Sequence, residues 1–124
     1  MDLVHIGLVS TSESHADRFF GQLLGLEKTK TSQLPAAISA GLFGVDQDIG
    51  IGYYGNDSMV FEVFFTGWHE PKDRKISHTC IQVADLDAFL SKCESMDYEV
   101  RRVPKGEKEV VFIADHDGNL FEVK

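Results

Sequence analysis

A chain of 124 residues with 43% hydrophobic and 26% charged side chains is one ordinary globular domain by length and composition, able to bury a core without disulfides. Its formal net charge of −8, with the lysines and arginines scattered, argues against a nucleic-acid partner and mostly serves solubility. No stretch approaches the roughly 20 apolar residues of a membrane span. The start, Met1-Asp2-Leu3-Val4-His5, lacks the positive flank of a secretion signal, and Cys80 and Cys93 lack CxxC spacing. A cytoplasmic protein with two reduced thiols is expected.

In chain order, residues 3–9 form a short apolar run suited to a buried strand, and Ser10, Thr11 and Ser12 supply N-cap candidates. Ala16, Phe19, Phe20, Leu23 and Leu24 then follow at the three-and-four spacing of an amphipathic helix, which Gly25 is placed to end. Residues 26–32 read as an edge strand, and Pro35 opens a short Ala-rich helical turn running toward Gly44. Ile49, Ile51 and Tyr53 alternate along the next strand, Gly55-Asn56-Asp57 signals a hairpin turn, and 58–65 is the returning strand. The segment 67–75, with Gly67, Pro71 and the cluster Lys72, Arg74 and Lys75, is the expected linker; Trp68 within it either caps a cavity or packs.

The second half repeats this order. Residues 76–83 form a strand, Asp85 caps a helix with Leu86, Phe89, Leu90 and Cys93 inward, and 98–103 is a strand. Pro104-Lys105-Gly106 is a turn, 109–114 a strand, Asp115-His116-Asp117-Gly118 a turn, and 119–123 the last strand. Phe61-Glu62-Val63 recurs as Phe121-Glu122-Val123, each closing its half, while His5 and His78 hold the same place in the two opening strands. The expected fold is therefore α+β, with two tandem βαβββ units: unit one 1–66, linker 67–75 and unit two 76–124.

Glu62 and Glu122 are carboxylates in otherwise apolar strands, where an unpaired charge is costly and normally meets a proton, a cation or a metal. Singly, each of the four residues is more often structural: a satisfied core histidine, or a glutamate paired with a lysine or arginine. Two related units bring equivalent strands together, so His5, Glu62, His78 and Glu122 are expected to converge on one divalent cation. Two imidazoles and two carboxylates suit Zn, Ni or Co, and also Mn or Fe. Facing carboxylates would repel in the metal-free protein, so Glu62→Gln is expected to stabilise that form. His15, His69 and His116 read as surface residues, and Cys80 shares a strand face with His78.

These residues resemble the vicinal oxygen chelate superfamily, whose best-known member is glyoxalase I. The resemblance spans the whole chain. It rests on Val4-His5-Ile6-Gly7, on Ala16-Asp17-Arg18-Phe19-Phe20 leading into Leu24-Gly25-Leu26, on Ile76-Ser77-His78, and on the Asp-x-Asp-Gly-Asn-x-x-Glu pattern ending at Glu122. It implies curved mixed sheets around a metal cavity, a homodimer, a small-molecule substrate, and His5, Glu62, His78 and Glu122 as ligands. It further implies a lyase or isomerase of glyoxalase I type that removes a proton beside a metal-bound carbonyl or hydroxyl and stabilises an enediolate, with Glu122 as the base and Glu62 as the alternative. The sequence departs from glyoxalase I at Phe20, where Tyr is common, at Phe65-Thr66-Gly67, which lacks the Asn of the glutathione site, and in the extra segment 35–48. The alternatives are an epimerase of methylmalonyl-CoA type and a metal-free antibiotic-binding protein. Arg101, Arg102 and Lys105 are candidates to hold an anionic substrate group, with a solvated sheet edge the favoured reading.

Overall fold

A computed structural model of the chain describes residues 1–71 and 76–124, so the cluster of Lys72, Arg74 and Lys75 and the end of the expected linker lie outside the described residues. The chain divides into two compact units, Met1–Glu70 and Pro71–Lys124, each built around one four-stranded mixed sheet.

In the first unit β1 (Ile6–Ser10) is followed by α1 (Glu13–Ala16), a π-helical segment (Asp17–Leu23) and β2 (Glu27–Leu34). The unit ends with α2 (Ala36–Phe43), β3 (Ile49–Gly55) and β4 (Val60–Phe65). The strand order is β1-β4-β3-β2, with β1 and β4 parallel and the remaining pairs antiparallel. Ser12 is the cap among the three candidates, its side chain accepting from the His15 N–H at 3.2 Å. The expected amphipathic helix is present, but from Asp17 it widens to a π-helix. A wider turn brings consecutive side chains closer to one face, and Phe19 and Phe20 are both fully buried here. Phe20 packs on Tyr54 and Phe61 with ring centroids 5.4 and 5.2 Å apart. That contact fixes one face of the sheet as the helix-covered face. The Tyr54 hydroxyl donates to Asp17 Oδ1 at 2.7 Å, tying sheet to helix, and burial first, then this bond, push its phenol well above the ordinary range.

Gly52 allows a close approach on this covered face: a Cβ there would stand 2.6 Å from Phe65 Cζ and 2.9 Å from Tyr54 Cε2. The extra helix α2 starts after Pro35, where Asp48 Oδ1 accepts from the Ala36 N–H at 2.7 Å, and ends on Gly44 at φ +69°. The returning strand begins at Val60 rather than at 58, because the Asn56 side chain accepts from the Ser58 and Met59 N–H groups and holds them in the turn.

The second unit contains β5 (His78–Ile81), α3 (Leu86–Ser95), β6 (Glu99–Lys105), β7 (Lys108–Ala114) and β8 (Leu120–Val123), with strand order β5-β8-β7-β6. This repeats the first topology. Asp85 caps α3 as expected, accepting from the Ala88 N–H at 3.0 Å. Leu90, Cys93, Ile113 and Phe121 are buried. Two expectations need correction: the opening strand expected over 76–83 is confined to His78–Ile81, and Pro104 and Lys105 belong to β6, paired with Glu109 and Lys108, so that the turn is confined to Gly106 and Glu107. Proline is tolerated because β6 is an edge strand, where a missing N–H need not break a ladder on both sides. The turn after β7 is held by buried Asp115, which accepts from the N–H groups of Asp117 and Asn119 and from the Asn119 amide. Desolvation raises the Asp115 carboxyl above its ordinary range in spite of these donors.

Among the described residues no helix is long and apolar enough to cross a membrane. Cys80 and Cys93 are free thiols, Cys80 exposed and Cys93 buried, and burial pushes the Cys93 thiol up to about 11.

Candidate metal centre

The register of each sheet places a histidine beside a glutamate. Side chains alternate across a strand, so Glu62, between buried Phe61 and Val63, points to the face opposite the helix. Its partner in β1 is Gly7; the partner of Glu122 in β5 is Cys80. In both units the histidine lies two residues before that partner, and hence on the same face as the glutamate. The equivalence read from the repeated Phe-Glu-Val thus has a geometric counterpart in both sheets.

The two pairs are closed differently. His5 Nε2 lies 2.7 Å from Glu62 Oε2, and the Tyr53 hydroxyl donates to Glu62 Oε1 at 2.8 Å. That bond first, and burial second, hold the Tyr53 phenol above its ordinary range against an opposing contact from Ser32. His78 Nε2 stands 3.7 Å from Glu122 Oε2, while its Nδ1 lies 2.8 Å from the Ile76 carbonyl oxygen. A carbonyl only accepts, so Nδ1 donates to it, and the ring is held with Nε2 turned toward the carboxylate. A backbone carbonyl behind the far nitrogen is also the support that metal-ligating histidines use. Lys124 Nζ lies 3.3 Å from the other oxygen, Glu122 Oε1, and the His78 ring packs edge-on against Phe112 with centroids 4.9 Å apart.

Imidazole nitrogens and carboxylate oxygens are the donor chemistry of a borderline divalent cation, and each unit carries one donor of each kind. The glutamate side chains are mostly withdrawn, at 15% and 21% exposure, while those of His5 and His78 are 44% and 34% exposed. The structure brings together His5 with Glu62, and His78 with Glu122. Among the described residues no group of three or more His, Cys, Asp or Glu stands at metal-holding distances.

Tyr53, Phe112 and Lys124 are site residues that the sequence reading did not single out. Tyr53 pairs with Glu62 across β3–β4, and Phe112 with Glu122 across β7–β8. The turn occupies 56–59, which pairs Gly55 with Val60 and so sets Tyr53 opposite Glu62; the shorter turn Gly55-Asn56-Asp57 read from the sequence would have set Gly50 there. Arg101 is bonded to Glu99 through Nε and Nη2, at 2.6 and 3.1 Å, and Arg102 reaches Glu109 at 3.4 Å, so both serve the solvated edge. Cys80 is exposed on the His78 face. Trp68 donates from its indole to Gln47 Oε1 at 2.8 Å, and Gln47 donates to the Thr66 carbonyl at 2.8 Å, so the indole ties the loop before β3 to the exit of β4.

The model of the Glyoxalase/Bleomycin resistance protein/Dioxygenase superfamily matches residues 2–123. No curated protein matches the sequence. Among solved structures, a glyoxalase family protein from Enterococcus faecalis is similar with a TM-score of 0.74 at 15% identity, over 98% of this chain and 95% of that one. A glyoxalase family protein from Bacillus cereus gives 0.73 at 17% identity, over 99% and 92%. A mutant of the fosfomycin resistance protein FosX from Listeria monocytogenes, complexed with Mn(II) and 1S,2S-dihydroxypropylphosphonic acid, gives 0.72 at 16% identity, over 98% and 87%. At these identities the likeness is one of fold.

Proposed function

The chain belongs to the Glyoxalase/Bleomycin resistance protein/Dioxygenase superfamily, and from that premise we propose that it is a divalent-metal enzyme, a lyase or isomerase that moves a proton beside an oxygen function of a small molecule. The observation that carries this reading is the repeated register: each sheet sets one imidazole and one carboxylate on the same face, two residues out of step across a parallel pair. His5, Glu62, His78 and Glu122 are the proposed ligands. A divalent cation held by them supplies positive charge to polarise a substrate carbonyl or hydroxyl oxygen. The Mn(II) named for the FosX relative makes Mn a metal to test beside Zn, Ni and Co.

Glu122 is the proposed base. A carboxylate takes the proton from the carbon beside the polarised oxygen and returns it to the neighbouring atom, which shifts the double bond or hydrogen without net redox change. Lys124 Nζ lies 3.3 Å from Glu122 Oε1, on the side of the carboxylate away from His78. Phe112 packs against the His78 ring and limits its tilt.

Purified protein should be analysed for metal, then followed by NMR in D2O with hemithioacetals, α-hydroxy thioesters and acyl-CoAs. Fosfomycin, the antibiotic in the name of the FosX relatives, completes the panel. Metal-dependent exchange of one substrate hydrogen, lost in Glu122→Gln with metal retained, is expected. Equal loss of metal and exchange would make Glu122 a ligand only. A protein that takes up none of Zn, Ni, Co or Mn would overturn the enzyme reading in favour of a metal-free binding protein.

A further inference from the structure

The two half-sites match in their histidine and glutamate but differ at the residue paired with the glutamate on the next strand: Tyr53 in the first unit, Phe112 in the second. Tyr53 reaches Glu62 Oε1 at 2.8 Å, while the opposite oxygen, Oε2, faces His5 at 2.7 Å. Both oxygens of Glu62 are thus assigned. Tyr53 is itself held in place: Lys30 Nζ stands 4.2 Å from its ring centroid, and Lys30 is its partner across β2–β3. Glu122 has no phenol opposite it, since Phe112 turns its ring edge to His78 instead.

We propose that Tyr53 is a positioning residue that holds Glu62 as a fixed, single-oxygen metal ligand, so that the two glutamates have unequal roles. This rests on the reading of Glu62 as a ligand. A carboxylate whose Oε1 accepts from a phenol has only Oε2 free for a cation, and cannot swing to offer both oxygens without breaking that bond. Glu122 Oε1 meets only the ammonium of Lys124 at 3.3 Å, on a side chain that is 66% exposed, a looser hold than a phenol's that leaves more of the freedom proton transfer requires. The asymmetry lies in one hydroxyl.

The test uses the full chain stripped of metal and titrated with Co(II), whose visible absorption reports coordination number and geometry. Tyr53→Phe keeps the ring over Lys30 and removes only the hydroxyl. It is expected to weaken Co(II) binding by about tenfold or more, the usual loss when the support of a metal ligand is removed. It should also dim the Co(II) band, as Glu62 becomes free to bind through both oxygens. A purely structural tyrosine would lower the melting temperature in chelator and leave the Co(II) spectrum of the saturated protein unchanged; that result overturns the proposal. So does a Tyr53→Phe protein with wild-type affinity and spectrum, while His5→Ala still loses Co(II), which leaves the ligand set standing. If wild type binds no Co(II), or His5→Ala binds it as wild type does, the ligand reading falls and the role of Tyr53 falls with it.

Discussion

Glu62→Gln in the metal-free protein separates two views of the first half-site by the sign of one number. If like charge dominated there, removing it would stabilise the protein, as expected from the sequence. The contacts within the first unit give the opposite sign, because Glu62 accepts from Tyr53 at 2.8 Å and faces His5 at 2.7 Å. A glutamine can keep Tyr53 on its carbonyl and turn its amide to His5, so both bonds survive but lose their charge assistance. Bonds to a charged group contribute about 1.5–3 kcal/mol and neutral ones about 0.5–1.5 kcal/mol, so two such exchanges cost about 2 kcal/mol. The His5 side chain is 44% exposed, which screens its share and brings the expected loss to about 1–2 kcal/mol. For a chain of this size that is a fall of roughly 3–8 °C in melting temperature. Added metal should widen the gap: a ligand at a hundred times its dissociation constant stabilises wild type by about 2.7 kcal/mol, and the variant by much less. Thermal melts in chelator and then in excess Co(II) or Zn read both effects. A variant that melts at or above wild type in chelator would refute the pairing argument, and equal metal shifts would refute Glu62 as a ligand.

Asp115→Asn replaces an acceptor of three N–H donors by a group with one acceptor oxygen and sets an amide nitrogen against the Asn119 amide, now 2.7 Å away. It should destabilise the protein by about 1–3 kcal/mol in a urea melt, and an unchanged midpoint would show that the turn is not held this way. At pH 8 a disulfide reagent should titrate one thiol of the native protein, Cys80, and two in denaturant. Because the folded Cys93 thiol ionises at about 11 against 9.0 for the free group, the unfolded chain loses its proton first. Stability from this group is therefore complete below pH 9 and lost as pH rises toward 11, and Cys93→Ala should flatten that decline.

The repeat was legible because its signals are local. Phe-Glu-Val and the strand-one histidine recur as strings, and the caps Ser12 and Asp85 stand where side chain and helix start must meet. What escaped depends on register or on competition for a backbone donor. Tyr53 stands beside Tyr54 with nothing in its local composition to set it apart; only pairing with Glu62 gives it a role. Asn56 delays β4 by withholding two N–H groups from the sheet, and Pro104 stays in a strand because that strand is an edge. The π-helical widening follows from burying both Phe19 and Phe20, a demand of packing that spacing alone does not express.

The helix α2 is spliced between Leu34 and Ile49, which face each other at the end of the β2–β3 ladder. Its ends meet across a closed rung, so the segment hangs on the hairpin as a detachable cassette. The entropic penalty of closing such an insertion grows only slowly with its length, and the Tyr53–Glu62 rung lies further along the ladder, while the segment also touches β4 and its exit through Phe43 on Phe64 and Gln47 on the Thr66 carbonyl. A change of length between Pro35 and Phe43 can therefore be absorbed in the segment itself, with the Leu34–Ile49 rung and the contacts of Phe43 and Gln47 as its fixed points.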